Sequence, residues 1–182
     1  MRAVPVAVLA AALALAACSS TQPTGQLPGP VPEGVVFVEP SADAPAAPAF
    51  ELELLDGRTL DLPEQWAQRP VVLVFFETWC TLCAEQQDDI NDVVAEYRDT
   101  VLFVGVAGLS DAADVEKYIS DHRINYPVGM DPEGDIWLRY AVAEAPLVAL
   151  ISKDGRLLRG WPRGVSGDEL REQISELAVA SL

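Results

Sequence analysis

The chain has 182 residues, enough for one domain with a sizeable core plus extensions. Its formal net charge of −16 comes from acids spread along the sequence, with no Lys/Arg cluster. That balance argues against nucleic acid as a partner and favours solubility, but it does not fix a fold.

Residues 1–17 carry a single charge, Arg2, followed by an Ala/Leu/Val stretch. Leu15-Ala16-Ala17-Cys18 has the small-residue approach to cleavage of an exported precursor. It also resembles a bacterial lipobox, in which the cysteine is acylated and becomes the new N-terminus. The apolar stretch falls short of the ~20 residues that a membrane span needs. Residues 1–17 are therefore expected to be a signal peptide, with Cys18 the lipidation site and more than one acyl chain for stable attachment. Of three cysteines, this leaves one pair, in a compartment where disulfides persist. Ser19 to Pro48 holds seven of the fourteen prolines, so residues 18–48 are expected to form an extended or disordered tether that lifts the domain clear of the lipid. Within it, Val35–Val38 is expected to add an edge strand.

The folded unit, residues 49–182, opens with two alternating stretches, Phe50–Leu54 and Thr59–Leu62, around the turn pair Asp56-Gly57: a hairpin. A short helix around Pro63–Ala67 leads to Val71–Phe76. These six apolar residues in a row predict a strand buried on both faces. After Glu77-Thr78-Trp79 come Cys80-Thr81-Leu82-Cys83, and from there Ile90, Val93, Val94 and Tyr97 mark a helical stripe. Two cysteines thus sit where a buried strand hands over to a helix. A helix start offers unpaired N–H groups and positive potential, which favour a thiolate. The spacing lets a disulfide form and reopen. Half a zinc site and a static bridge are the competing readings. A four-ligand zinc site needs two more Cys or His partners, and only Cys18 and His122 remain.

Phe75-Phe-Glu-Thr-Trp-Cys-Thr-Leu-Cys83 resembles the active-site segment of thioredoxin-fold proteins, and most closely the membrane-tethered TlpA/ResA/DsbE-like thiol–disulfide oxidoreductases. The resemblance spans roughly residues 49 to 177. It implies an α/β thioredoxin fold, a central mixed β-sheet flanked by helices, with an N-terminal β-hairpin extension. It further implies catalytic Cys80 and Cys83, the first attacking and the second resolving, with no cofactor and no metal. Exported thiol or disulfide proteins would be substrates, a membrane electron-transfer protein would recharge the pair, and the protein would work as a monomer anchored outside the cytoplasm. A cis-proline facing the cysteines is expected in such a fold. Pro146 fits, at the head of an apolar strand, and Pro127 is its competitor. Ala145 would then offer backbone groups to a substrate segment, and Trp79 a flat apolar surface.

The remaining elements are read from pattern. Val101–Val106 is a buried strand; Ser110 is expected to cap a helix carrying Val115, Tyr118, Ile119 and His122; Asp131–Gly134 is a turn. A short helical stretch over 136–142 precedes a hairpin of Leu147–Ile151 and Leu157–Trp161. Ser166-Gly-Asp-Glu169 is a capping box for the last helix, with Leu170, Ile174 and Leu177 buried.

Three departures from the resembled group stand out. Leu82 replaces the common proline before the second cysteine. Val74 stands where thioredoxin has a buried carboxylate, and Gln86 stands where some tethered relatives have a glutamate. A proton acceptor for Cys83 is missing from both usual places, and Glu77 is the candidate replacement if it turns inward. A reductase is favoured over an oxidant or isomerase. A Cu(I)-binding lipoprotein is the alternative outside redox catalysis. A peroxidase of the peroxiredoxin type would need a T-x-x-C arrangement and an activating arginine, and Thr78-Trp-Cys80 has the wrong spacing.

Overall fold

The computed structural model describes residues 25–181, so the expected signal peptide (1–17) and Cys18 lie outside the described residues. From Gly25 to Pro48 the prolines keep the backbone out of regular structure apart from β1 (Val36–Phe37). The segment is extended but not free. Arg58 donates to the Gly25 carbonyl (2.9 Å), and the buried Arg69 donates to the carbonyls of Gly29 and Asp99. The Leu157 N–H and the Tyr140 hydroxyl donate to the carbonyls of Pro45 and Pro48 (2.9 and 2.8 Å). Over its described part, the expected tether is a strap bound to the domain.

The hairpin β2 (Glu51–Glu53) and β3 (Thr59–Asp61) follows, with Leu52 and Leu60 paired and buried. The Asp61 side chain caps α1 (Leu62–Trp66), which has proline in its first turn. Next comes β4 (Val71–Phe76), whose six side chains are all 0–1% exposed. Its alternation divides the core. Val72, Val74 and Phe76 pack on one face, Val71, Leu73 and Phe75 on the other. At about 1.5–3 kcal/mol per large buried apolar side chain, this strand is a main source of stability.

Then come α2 (Thr81–Tyr97), β5 (Leu102–Gly108), α3 (Ala112–Asp121), β6 (Val128–Asp131) and α4 (Asp135–Arg139). The chain ends in β7 (Leu147–Ile151), β8 (Leu157–Pro162), α5 (Gly167–Leu177) and β9 (Val179–Ser181). The central sheet has the order β6-β5-β4-β7-β8. β4, β5 and β6 are parallel; β7 and β8 are antiparallel to their neighbours. Helices α2, α3 and α5 contribute to the Phe76 side; the hairpin and α4 contribute to the Phe75 side. This is the α/β mixed sheet with an N-terminal hairpin that the sequence predicts.

Several local expectations need correction. Asp111, not Ser110, is the N-cap of α3, because the Ser110 hydroxyl is engaged with Thr78. The capping box of α5 is half formed. Ser166 accepts from the Glu169 N–H, but the Glu169 carboxylate takes the Trp161 indole N–H at 2.8 Å instead of turning back. The strand expected within Val35–Val38 is present as Val36–Phe37, which pairs antiparallel with β9 in a two-stranded sheet apart from the central one. β6, Val-Gly-Met-Asp, carries no alternating apolar signal in the sequence. Gly129 lets the hairpin approach it closely, since a Cβ there would lie 2.5 Å from the Glu53 carbonyl oxygen. Gly129→Ala is therefore expected to cost about 1–3 kcal/mol, read as a lower urea midpoint with unchanged slope.

Candidate active site

β4 ends at Phe76, and the next four residues form a turn in which the Cys80 N–H donates to the Glu77 carbonyl at 3.1 Å. Cys80 has extended backbone (φ −78°, ψ 106°) and is the N-cap of α2. Its Sγ accepts the Cys83 N–H at 3.0 Å, and its carbonyl accepts the Ala84 N–H at 3.2 Å. A sulfur thus fills the place usually taken by a Ser, Thr, Asp or Asn oxygen. The first turn of α2 has no acidic residue to neutralise the helix's positive end. On reduction, the same N–H and the same end of the helix favour a thiolate on Cys80.

Cys80 and Cys83 are joined in a disulfide with a Cα–Cα distance of 5.3 Å. Both are buried, Cys80 at 8% exposure and Cys83 at 4%. Antiparallel pairing of β4 with β7 sets Leu147 opposite Phe75, so Pro146 falls beside the end of β4, from which the chain runs to the cysteines. The Ala145–Pro146 bond is the one cis peptide among the described residues, so Pro127 is trans. Pro146 is buried; Ala145 is half-buried and packs against the apolar cluster that holds both cysteines.

Trp79 is 68% exposed immediately before Cys80. The loop after β5 stands beside it. The Thr78 N–H and hydroxyl both reach the Ser110 Oγ at 3.3 Å, and the neighbouring Leu109 is 71% exposed. Sequence reasoning missed this pairing because a serine before an acidic first turn matches a cap equally well.

Glu77 is 4% exposed, and burial raises its carboxyl pKa above the ordinary value. It is the first residue after β4 and stands three residues before Cys80. Gln86, one turn beyond Cys83, is hydrogen-bonded to the backbone at Arg163 and Val165. His122 ends α3 with its ring against Tyr118, 4.3 Å between centroids. Among the described residues, no group of three or more His, Cys, Asp or Glu side chains is placed to hold a metal ion, and no helix is long and apolar enough to cross a membrane.

Residues 44–159 match the model of the AhpC/TSA family. The chain is similar to the thiol-disulfide oxidoreductase ResA of Bacillus thuringiensis, 27% identical over 132 residues that cover 71% of this chain and 73% of ResA. Its fold is similar to a secreted Mycobacterium tuberculosis disulfide oxidoreductase homologous to E. coli DsbE (TM-score 0.62, 27% identity, 70% of this chain and 96% of that one). It is also similar to the pneumococcal exposed lipoprotein thioredoxin Etrx1 of Streptococcus pneumoniae (TM-score 0.64, 26% identity, 71% and 100%).

Because the pKa of Glu77 is raised, the native state holds this proton more tightly than the unfolded chain. Stability from this group is greatest below the ordinary carboxylate range and falls as pH rises through the raised native value. Glu77→Gln removes the dependence. Its melting temperature is expected to gain on the wild type as pH rises from about 4 to about 7, measured by thermal unfolding at matched ionic strength.

Proposed function

The chain belongs to the AhpC/TSA family and is a thiol–disulfide oxidoreductase of thioredoxin fold; from that premise we propose that it acts outside the cytoplasm as a reductase of exported proteins, with Cys80 the attacking and Cys83 the resolving sulfur. The observation that carries the reading is the Cys80 sulfur standing as cap of α2 under the Cys83 N–H.

In the reduced protein the Cys80 thiolate attacks one sulfur of a substrate disulfide. The substrate S–S bond breaks, one substrate thiolate leaves, and a mixed disulfide forms. Cys83 then loses its proton and attacks the Cys80 sulfur, releasing the second substrate thiolate. Two electrons have passed to the substrate, and Cys80–Cys83 is oxidised. A membrane electron-transfer partner restores the dithiol, and no cofactor or metal takes part. Trp79 flanks the incoming segment, and Ala145 presents its backbone beside Pro146. Lipidation at Cys18 anchors the domain to the cell membrane. The Leu15–Cys18 pattern and the likeness to an exposed lipoprotein thioredoxin support this.

Glu77 is proposed as proton acceptor for Cys83, supported by its burial and raised pKa three residues before Cys80. The family match also brings forward a peroxidase. Against it, the Thr78 hydroxyl is bound to Ser110, and its spacing from Cys80 is not that of a peroxidatic site. A peroxide-consumption assay separates the two.

Cys80→Ser is expected to reduce insulin-disulfide reduction to background, whereas Cys83→Ser accumulates a mixed disulfide visible by non-reducing gel and mass. A reduction potential near about −270 mV fits a reductase, and one at about −180 to −120 mV overturns that direction in favour of an isomerase or oxidant. Glu77→Gln is expected to shift the pH profile of dithiol oxidation; an unchanged profile assigns Glu77 to packing alone.

A further inference from the structure

Gln86 lies three residues beyond Cys83 on α2, half-buried against the loop between β8 and α5. Its Nε2 donates to the Arg163 carbonyl at 3.1 Å, and its Oε1 accepts the Val165 N–H at 3.2 Å. On its other side, the Arg163 N–H donates to the Pro146 carbonyl at 2.8 Å. A series of hydrogen bonds therefore runs from the helix that carries both cysteines, through one side-chain amide and one backbone residue, to the strand edge beside them. The loop is shaped around the amide. Arg163 and Gly164 are both left-handed (φ 74° and 78°), and a Cβ on Gly164 would lie 1.8 Å from the Gln86 Oε1. For a non-glycine residue such as Arg163 that conformation is strained, and the bonds on either side of it hold it in place.

We propose that Gln86 is a positioning residue that fixes the Cys80–Cys83 helix against the Ala145–Pro146 edge, and that the position requires an amide. The inference rests on the reading of that pair and that edge as the site of exchange with protein substrates. An amide supplies one donor and one acceptor to a carbonyl and an N–H two residues apart. A carboxylate has acceptors only, and would set an oxygen against the Arg163 carbonyl. A neutral carboxylic acid has an O–H donor and a carbonyl acceptor, so it reproduces the amide pattern. Gln86→Glu is therefore a switch at this contact: closed when protonated, open when ionised. Gln86→Ala is open at every pH.

The test compares wild type, Gln86→Ala and Gln86→Glu on insulin and on a small aromatic disulfide, alongside backbone amide shifts of Arg163, Val165 and Leu147 followed across the carboxyl range. Gln86→Ala is expected to lose roughly ten- to a hundredfold in kcat/KM on insulin, as a misplaced reacting edge does, while keeping its rate with the small disulfide, which needs no strand edge. In Gln86→Glu the amide shifts are expected to move together with the carboxyl, from wild-type positions at low pH to those of Gln86→Ala at high pH. Equal losses on both disulfides, or amide shifts in Gln86→Glu that do not follow the carboxyl, overturn the proposal. A wild type that reduces neither disulfide overturns the redox reading instead, and the amide titration still decides whether Gln86 couples α2 to the Pro146 strand.

Discussion

The N–H groups at the start of α2 need an acceptor, and the Cys80 sulfur provides one. That single contact ties the chemistry to the fold. It exists because β4 is buried on both faces and cannot shift, so the chain leaves the sheet at one place and one angle. The same strand, through its pairing with β7, brings Pro146 alongside from seventy residues further on. Neither cysteine is held by polar side chains of its own. Their position is the sum of hydrophobic burial beneath them and backbone bonds around them.

This explains which parts of the molecule could be read in advance. β4, α2 and the two hairpins announce themselves because their buried residues are large and apolar, and fall in a continuous run or at a regular spacing. β6 and β9 do not, since each is short and its sequence contains glycine or alanine where an alternating strand would show large apolar groups. The edge of β6 is occupied by a hairpin sixty to eighty residues earlier, a long-range fact with no local signal. Ser110 and Glu169 were misread for one shared reason. Each has the right local spacing for a cap, and each found a better partner elsewhere: Thr78 for the first, Trp161 for the second.

The site was legible in part for a related reason. A Cys-x-x-Cys after a buried strand is a local pattern, and an X-Pro at the head of an apolar strand is another. Gln86 looked only like the absence of a glutamate. Its role appears once Arg163 and Val165, more than seventy-five residues away, are seen to present a carbonyl and an N–H to it. Glu77 is intermediate between these cases. Its residue type stands out in the sequence, but whether it faces solvent or protein is decided in the turn after β4, which carries no periodic signal. It is the least solvated carboxylate in that part of the chain, and it has no cation beside it to compensate; its raised pKa follows from burial alone.

The strap has a geometric consequence for an anchored protein. Binding of Arg58 to the Gly25 carbonyl and of Arg69 to that of Gly29 fixes the chain to the domain well before the folded unit begins. Were Cys18 held in a bilayer, only residues 19–24 would separate lipid from protein, a leash of at most about 25 Å from Cys18 to Gly25 even at full stretch. The acidic domain would then ride close to the headgroups with limited freedom to swing, and would sweep only those clients and electron donors that come within that narrow shell.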